Sequence, residues 1–458
     1  MFAYYLAPVR LKNTVLLAAS LFFYAWGEPV YIFLMLFSIV INYIAGIITG
    51  DAKSRKVKIP VLAAAVILNV FMLGFFKYAD FVTEGINSIF GLGIKPLELP
   101  LPVGISFYTF QAISYLADVY RGGVKVQRNI IDFAMYISMF PQLIAGPIIR
   151  LADIEGSLHR RSHSSDMFAA GVRRFTAGLA KKAILANGAG MIWDSVKNMT
   201  AGGAVSPASA WIGIIGFTFQ IYFDFSGYSD MAIGLGKMLG FDFPENFDYP
   251  YTSRSVTEFW RRWHISLGSW FREYVYIPLG GSRCGALRRT ANIFTVWLLT
   301  GLWHGASMNF VMWGLYFGVI LMLEKMFVLR FFESLPRAAG RIYTILLVIV
   351  SWVIFALDAP GEIFSYLKIM LGIGAESIFD GAAAYLLANN LLFLTILAVG
   401  CTKLPRMAYR RVCEMLSGSA GKETIMILAE NVCLAAILII SLAYVEASTY
   451  NPFLYFRF

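Results

Sequence analysis

Runs of apolar residues about as long as a bilayer is thick recur from one end of this chain to the other. Nothing else in the sequence restricts the fold so tightly. Inside hydrocarbon each backbone amide and carbonyl needs a partner within the protein, so such runs fold as helices. Of 458 residues, 58% are hydrophobic and 14% charged, too little charge to cover a soluble surface. The formal charge of +10 invites a nucleic-acid reading. The basic residues instead collect in short loops between apolar runs, the positive-inside pattern of membrane proteins, and no nucleic-acid partner is expected. Aromatic residues suit interfacial belts and an aromatic-lined interior.

The first spans are expected at about residues 13–26, 29–49 and 59–82. Arg10 and Lys12 precede the first, as in a signal peptide, but no small-residue cleavage site follows, so it reads as a retained helix. Asp51–Lys58 holds four basic residues against one acid and is placed in the cytoplasm; residues 83–100 belong outside. The apolar run at 101–120 is dotted with polar groups, Gln111 and Asp118 among them, and should face the protein interior. Residues 129–150 contain Pro141, Gly146 and Pro147 and read as a broken or re-entrant helix; Arg150 at its end binds an anion or snorkels to the interface. Residues 151–166, with His159 and His163, form a solvated loop, and a helix from about Asp166 carries Arg173, Arg174, Lys181 and Lys182. The span at about 208–239 contains Gln220, Asp224 and Asp230. Residues 241–290 break the hydropathy pattern. Further spans fall near 342–357, 385–401 and 424–446. Basic loops at 330–341 and 403–422 share the cytoplasmic side with 51–58, which puts the C-terminus outside. The expectation is an all-α polytopic membrane protein of one domain, residues 1–458, with about eleven transmembrane helices plus re-entrant and interfacial pieces.

His304 sits in the apolar stretch Asn292–Gly318, which has no Asp, Glu, Lys or Arg. An ionisable group at such depth points to function, and imidazole suits proton transfer near neutral pH. The alternative is a buried histidine bonded to a carbonyl or hydroxyl on a neighbouring helix. The four cysteines, Cys284, Cys401, Cys413 and Cys433, form no CxxC pair and lie near no histidine at metal-ligand spacing, so no metal is expected. In the polar stretch, Ser253 or Ser255 caps a helix, with Glu258 three residues after Ser255 as in a capping box. Trp260, His264, Leu267 and Phe271 follow helical spacing and predict one aromatic face, with Arg261, Arg262 and Arg272 on others. Those arginines anchor an interfacial helix to membrane lipids or hold phosphate.

The segments Glu258-Phe-Trp-Arg-Arg-Trp-His264, Tyr274-Val-Tyr-Ile-Pro-Leu-Gly-Gly281 and Leu302-Trp-His-Gly-Ala306 resemble the membrane-bound O-acyltransferase superfamily. Pro102–Gln111, Phe140–Pro147, Phe223–Asp230 and the tail Asn451–Phe458 resemble its bacterial branch, which serves alginate and peptidoglycan O-acetylation. The likeness covers about residues 13–458. It implies that His304 is the catalytic base and that His264 takes part in catalysis or positioning. It also implies an acyl, chiefly acetyl, group moved from a cytoplasmic thioester towards a polysaccharide outside a bacterial cytoplasmic membrane. An outward-facing SGNH-type acetyltransferase would complete the step.

One base and a few hydrogen-bond donors are enough for this transfer, and no tightly bound cofactor is needed. Gln111, Gln142, Gln220, Asp224 and Asp230 are candidates to line a path to His304, or else bond between helices. Arg254, Arg261, Arg262 and Arg272 are candidates to hold the phosphates of the donor, acetyl-CoA or an acyl carrier protein thioester. Three alternatives are D-alanyl transfer to teichoic acid, a polysaccharide or lipid transporter with His304 in a proton relay, and a non-catalytic scaffold.

Overall fold

The structure, a computed structural model, describes residues 1–201, 203, 205–329, 331, 336–416, 420–447 and 453. Parts of the basic loops at 330–341 and 403–422, and all of the Asn451–Phe458 motif but Phe453, lie outside the described residues. Among the described residues there are helices, turns and connections but no strand. Helices stand where spans were expected, among them Lys12–Gly27, Ile32–Asp51, Arg55–Phe90, Ile105–Arg121, Pro207–Met238, Arg337–Ala356, Gly381–Gly400 and Ala420–Ala447.

Six described helices are long and apolar enough to cross a membrane: Ile32–Asp51, Arg55–Phe90, Met308–Val328, Arg337–Ala356, Gly381–Gly400 and Thr424–Ala447. The chain is a polytopic membrane protein. The figure of about eleven also counts shorter and more polar helices and is not confirmed. Lys12–Gly27 has 16 residues and Ile105–Arg121 has 17, below the roughly 20 that a span needs. Arg55–Phe90, at 36 residues, extends about 54 Å. That exceeds a hydrocarbon core of about 30 Å, so its ends project beyond it. Arg55, Lys56 and Lys58 at one end and Glu84 and Asn87 at the other suit a polar medium.

The chain divides into two compact units. The first comprises Met1–Val172, Ala232–Glu245 and Ser266–Leu279. Its helices are tied by polar pairs set in apolar surroundings, as expected where lipid supplies no hydrophobic drive between helices. Asn42 and Asn69, both buried, exchange amide hydrogen bonds of 3.1 and 2.7 Å. The stretch 129–150 is broken, as its prolines and glycine imply. Asn129 caps Ile130–Ser138, its Oδ1 accepting from the Ile131 amide at 3.0 Å. One short turn, Phe140–Leu143, follows, and irregular chain leads to Arg150. The Arg150 guanidinium forks onto Asp153, with Nε at 3.2 Å and a terminal nitrogen at 2.9 Å, so its charge is engaged within the protein.

The second unit comprises Arg173–Met231, Asn246–Ile265 and Gly280–Phe458. In it the apolar stretch 292–318 is not one span. A helix ends at His304, Gly305 is extended, and a second helix starts at Met308. The two helices form an antiparallel hairpin with backbones in close approach. A Cβ at Gly301 would lie 2.3 Å from the Phe310 carbonyl oxygen, and one at Gly314 would lie 2.5 Å from that of Trp297. Only glycine permits that approach.

Candidate functional site

The polar stretch of the second unit builds the site from a short helix, Val256–Arg262. Ser255 caps it, accepting from the Glu258 amide at 3.0 Å. Glu258 Oε2 reaches back to the Arg254 amide at 2.8 Å, one residue earlier than a capping box requires. The helix then stops, which corrects the expected aromatic face. Trp263 is extended and His264 has φ +45°, in the left-handed region. Trp260, His264, Leu267 and Phe271 therefore do not lie along one helix. The break comes from a crossing segment. The Asp248 amide donates to the Arg262 carbonyl, and the Ile265 amide donates to the Asn246 carbonyl, each at 3.0 Å. Those bonds draw the chain out of helical geometry on both sides of His264. Left-handed backbone in a residue with a Cβ costs about 1–3 kcal/mol, and such residues cluster at functional sites.

His264 is buried, and its ring meets Phe225 edge-on at 4.7 Å between centroids. Asn246 orients it. The Asn246 Nδ2 donates to Ser229 Oγ at 3.2 Å, so its Oδ1 faces the ring, 3.2 Å from Nδ1. An amide oxygen accepts, so this contact suits a neutral ring with its proton on Nδ1. Burial pushes the imidazole pKa below its ordinary value, which favours this neutral form.

His304 is the last residue of its helix and is buried among aromatic rings. Trp303, Trp313 and Phe355 meet it edge-on at 4.9, 5.0 and 5.1 Å, and Phe310 lies more nearly parallel at 6.2 Å. Trp303 also lies 5.8 Å from the His264 ring, so the two histidines converge on one indole. Trp260 docks the short helix on the hairpin, 4.7 Å from Trp297 and 4.9 Å from Phe317.

The arginines separate by environment. Arg254 and Arg261 are exposed. Arg262 is committed within the protein, 2.6 Å from Glu258 and 3.9 Å from Asp248. Arg272, in the first unit, is 72% exposed with Glu273 at 4.0 Å. Lys325 feels the charges of both Arg289 and Arg261, so cations from three segments gather there.

The path-lining candidates separate as well. Asp224 pairs with Lys182 at 2.5 Å, and Asp230 with Arg174 and Lys181, each at 2.6 Å. These acids join Pro207–Met238 to the basic residues that precede it, an interhelical role. Gln220 is half-buried on that helix. Gln111 and Gln142 are buried in the first unit, their amides donating to the carbonyls of Ile149 (3.5 Å) and Tyr136 (3.1 Å). The structure does not bring those two together with the histidines in one unit. Sequence reasoning missed Asn246, which lies in the polar stretch 241–290, Trp303, which lies inside the Leu302–Ala306 motif, and Glu324, whose only signal is a lone acid closing an apolar helix.

Comparison with known proteins matches residues 123–366 to the MBOAT, membrane-bound O-acyltransferase family. The probable alginate O-acetylase AlgI of Azotobacter vinelandii is 38% identical, over 99% of this chain and 96% of its own length. The peptidoglycan O-acetyltransferase of Helicobacter pylori is 31% identical, over 99% and 94%. The teichoic acid D-alanyltransferase of Bacillus subtilis is 28% identical, over 49% and 59%.

Proposed function

The chain belongs to the membrane-bound O-acyltransferase family, and from that premise we propose that it moves acetyl groups from a cytoplasmic thioester towards hydroxyls of an extracytoplasmic polysaccharide. One observation carries this reading: His264 and His304, far apart in the chain, rest on the same tryptophan. His304 is the base. It takes the acceptor hydroxyl proton as the oxygen attacks the thioester carbonyl. The new ester bond forms, the carbon–sulfur bond breaks, and the proton returns to the leaving thiolate. His264 orients a reactant or assists that proton transfer.

The donor is acetyl-CoA. Its phosphates fall to Arg254 and Arg261, the two exposed arginines of the second unit's motif, with Arg289 and Lys325 adding positive charge. Arg262 keeps the short helix in place instead, and Arg272 suits contact with anionic lipid. An outward-facing SGNH-type acetyltransferase carries the group to the polymer, and the protein works in the bacterial cytoplasmic membrane. The D-alanyl alternative draws on relatives alike over about half of this chain, and family membership favours neither transporter nor scaffold.

Membrane vesicles containing the chain, the partner and the polymer, given radiolabelled acetyl-CoA, test the proposal. Alkali-labile label should reach the polymer and should stop when the partner is deleted. Label arriving instead from a D-alanyl carrier protein would overturn the choice of donor.

A further inference from the structure

We infer that Glu324 is a positioning residue for His264, acting through the short helix that leads into it; this rests on the reading that the two histidines form the reaction centre. Glu324 is fully buried, at 0% exposure, and opens the π-helical turn Glu324–Val328 after the Met308–Leu323 helix. From there its carboxylate reaches the first turn of Val256–Arg262. Oε1 accepts from the Val256 amide at 2.6 Å. Oε2 accepts from the Thr257 amide at 2.7 Å and from Thr257 Oγ1 at 2.6 Å. Tyr343 also hydrogen-bonds it.

The first amides of a helix have no partner within it. Here Val256 and Thr257 give theirs to Glu324, and Glu258 gives its own to Ser255. Two of the three acceptors therefore come from a side chain 67 and 68 positions away. A helix of seven residues, about 10 Å long, does not hold its form alone. Its place is set by what grips its ends. Glu324 grips the start. The crossing segment grips the finish at Arg262, two residues before His264. Two carboxylate oxygens serve three donors at the positive end of the helix, a task no neutral side chain matches. Glutamine would turn an NH2 group towards amides that need an acceptor and leave a buried donor unsatisfied. A shift at the helix start moves His264 relative to Trp303.

The test compares wild type, Glu324→Gln and Thr257→Val by hydrogen–deuterium exchange on detergent-purified protein and by the vesicle assay. In Glu324→Gln, amides 256–264 should exchange about tenfold faster while those of Ile32–Asp51 stay unchanged. The maximal rate should fall on the order of a hundredfold, with the apparent KM for acetyl-CoA nearly unchanged. Thr257→Val removes one bond of the set and should show the same pattern more weakly. Wild-type rate and protection in Glu324→Gln overturn the assignment. So does fast exchange through the whole chain of both variants, which would make Glu324 a general stability residue. A wild-type chain inactive with every thioester would overturn the proposed reaction. The exchange comparison would then still decide whether Glu324 holds the helix.

Discussion

His304 and His264 differ in what holds them, and the difference sets what substitution does. His304 is buried among rings at the end of its helix, and His304→Gln, which keeps most of that volume, should insert and purify like wild type. Acetyl transfer in the vesicle assay should fall about a hundred- to ten-thousandfold, the usual loss for a general base. Wild-type turnover in folded His304→Gln would exclude a role in proton transfer. His264 is held by Asn246 and by a strained backbone, so its loss perturbs structure as well as chemistry. Arg261 and Arg262, adjacent in sequence, should part company in the same way. Arg261→Ala should raise the apparent donor KM about tenfold and leave folding alone, as loss of a phosphate contact does. Arg262→Ala should lower the melting temperature through Glu258 and Asp248, with donor KM nearly unchanged. The motifs marked both histidines and both arginines. They could not rank the arginines, because the ranking depends on Asp248 reaching across from another segment.

Most spans were legible to within a few residues, since long apolar runs with loop punctuation leave little choice, but the span expected at 59–82 runs on to Phe90 and Leu151–His159 is a helix where a solvated loop was expected. The break within 129–150 was legible too, from its prolines and glycine, but the two breaks at the histidines were not. Residues 255–271 keep helical spacing throughout, and the interruption at His264 is imposed from outside by the Asn246–Asp248 crossing. The turn after His304 was hidden for another reason. Gly305-Ala-Ser passes unnoticed inside a membrane helix, and the hairpin shows only when Gly301 and Gly314 meet opposing carbonyls. That contact gives a prediction. Gly314→Leu should force the hairpin apart at a cost of about 1–3 kcal/mol or more. It should appear as a lower melting temperature in detergent together with lost transfer. A variant as stable and active as wild type would show that the close approach is dispensable. Glu324 was illegible for the same underlying reason: its partners are backbone amides of a distant helix, which carry no sequence signature.

For the whole molecule, what the sequence says most clearly is orientation, because charge bias in the loops needs no tertiary contact. In a variant with its four cysteines replaced, a new cysteine at position 55 should resist a membrane-impermeant maleimide in intact cells, and one within 83–100 should react. The reverse pattern would invert the topology and place the arginines proposed to hold the donor on the wrong side. Which residues share a compact unit was beyond the sequence. Gln111 and Gln142 stood out in the sequence as polar residues in apolar surroundings, and nothing in that pattern says that they fall in the first unit while both histidines fall in the second.

A base able to activate a sugar hydroxyl can equally activate water, and water borders the membrane on both faces. Around His304 the rings of Phe310 and Phe355 offer a stray water no hydrogen bond, and Trp303 and Trp313 offer at most one indole N–H each. A sugar or a partner's side chain brings its own anchoring contacts and does not depend on that wall. For the proposed base, the aromatic enclosure would therefore act as a filter against hydrolysis. How much free acetate leaks out per ester formed then measures how dry that enclosure stays.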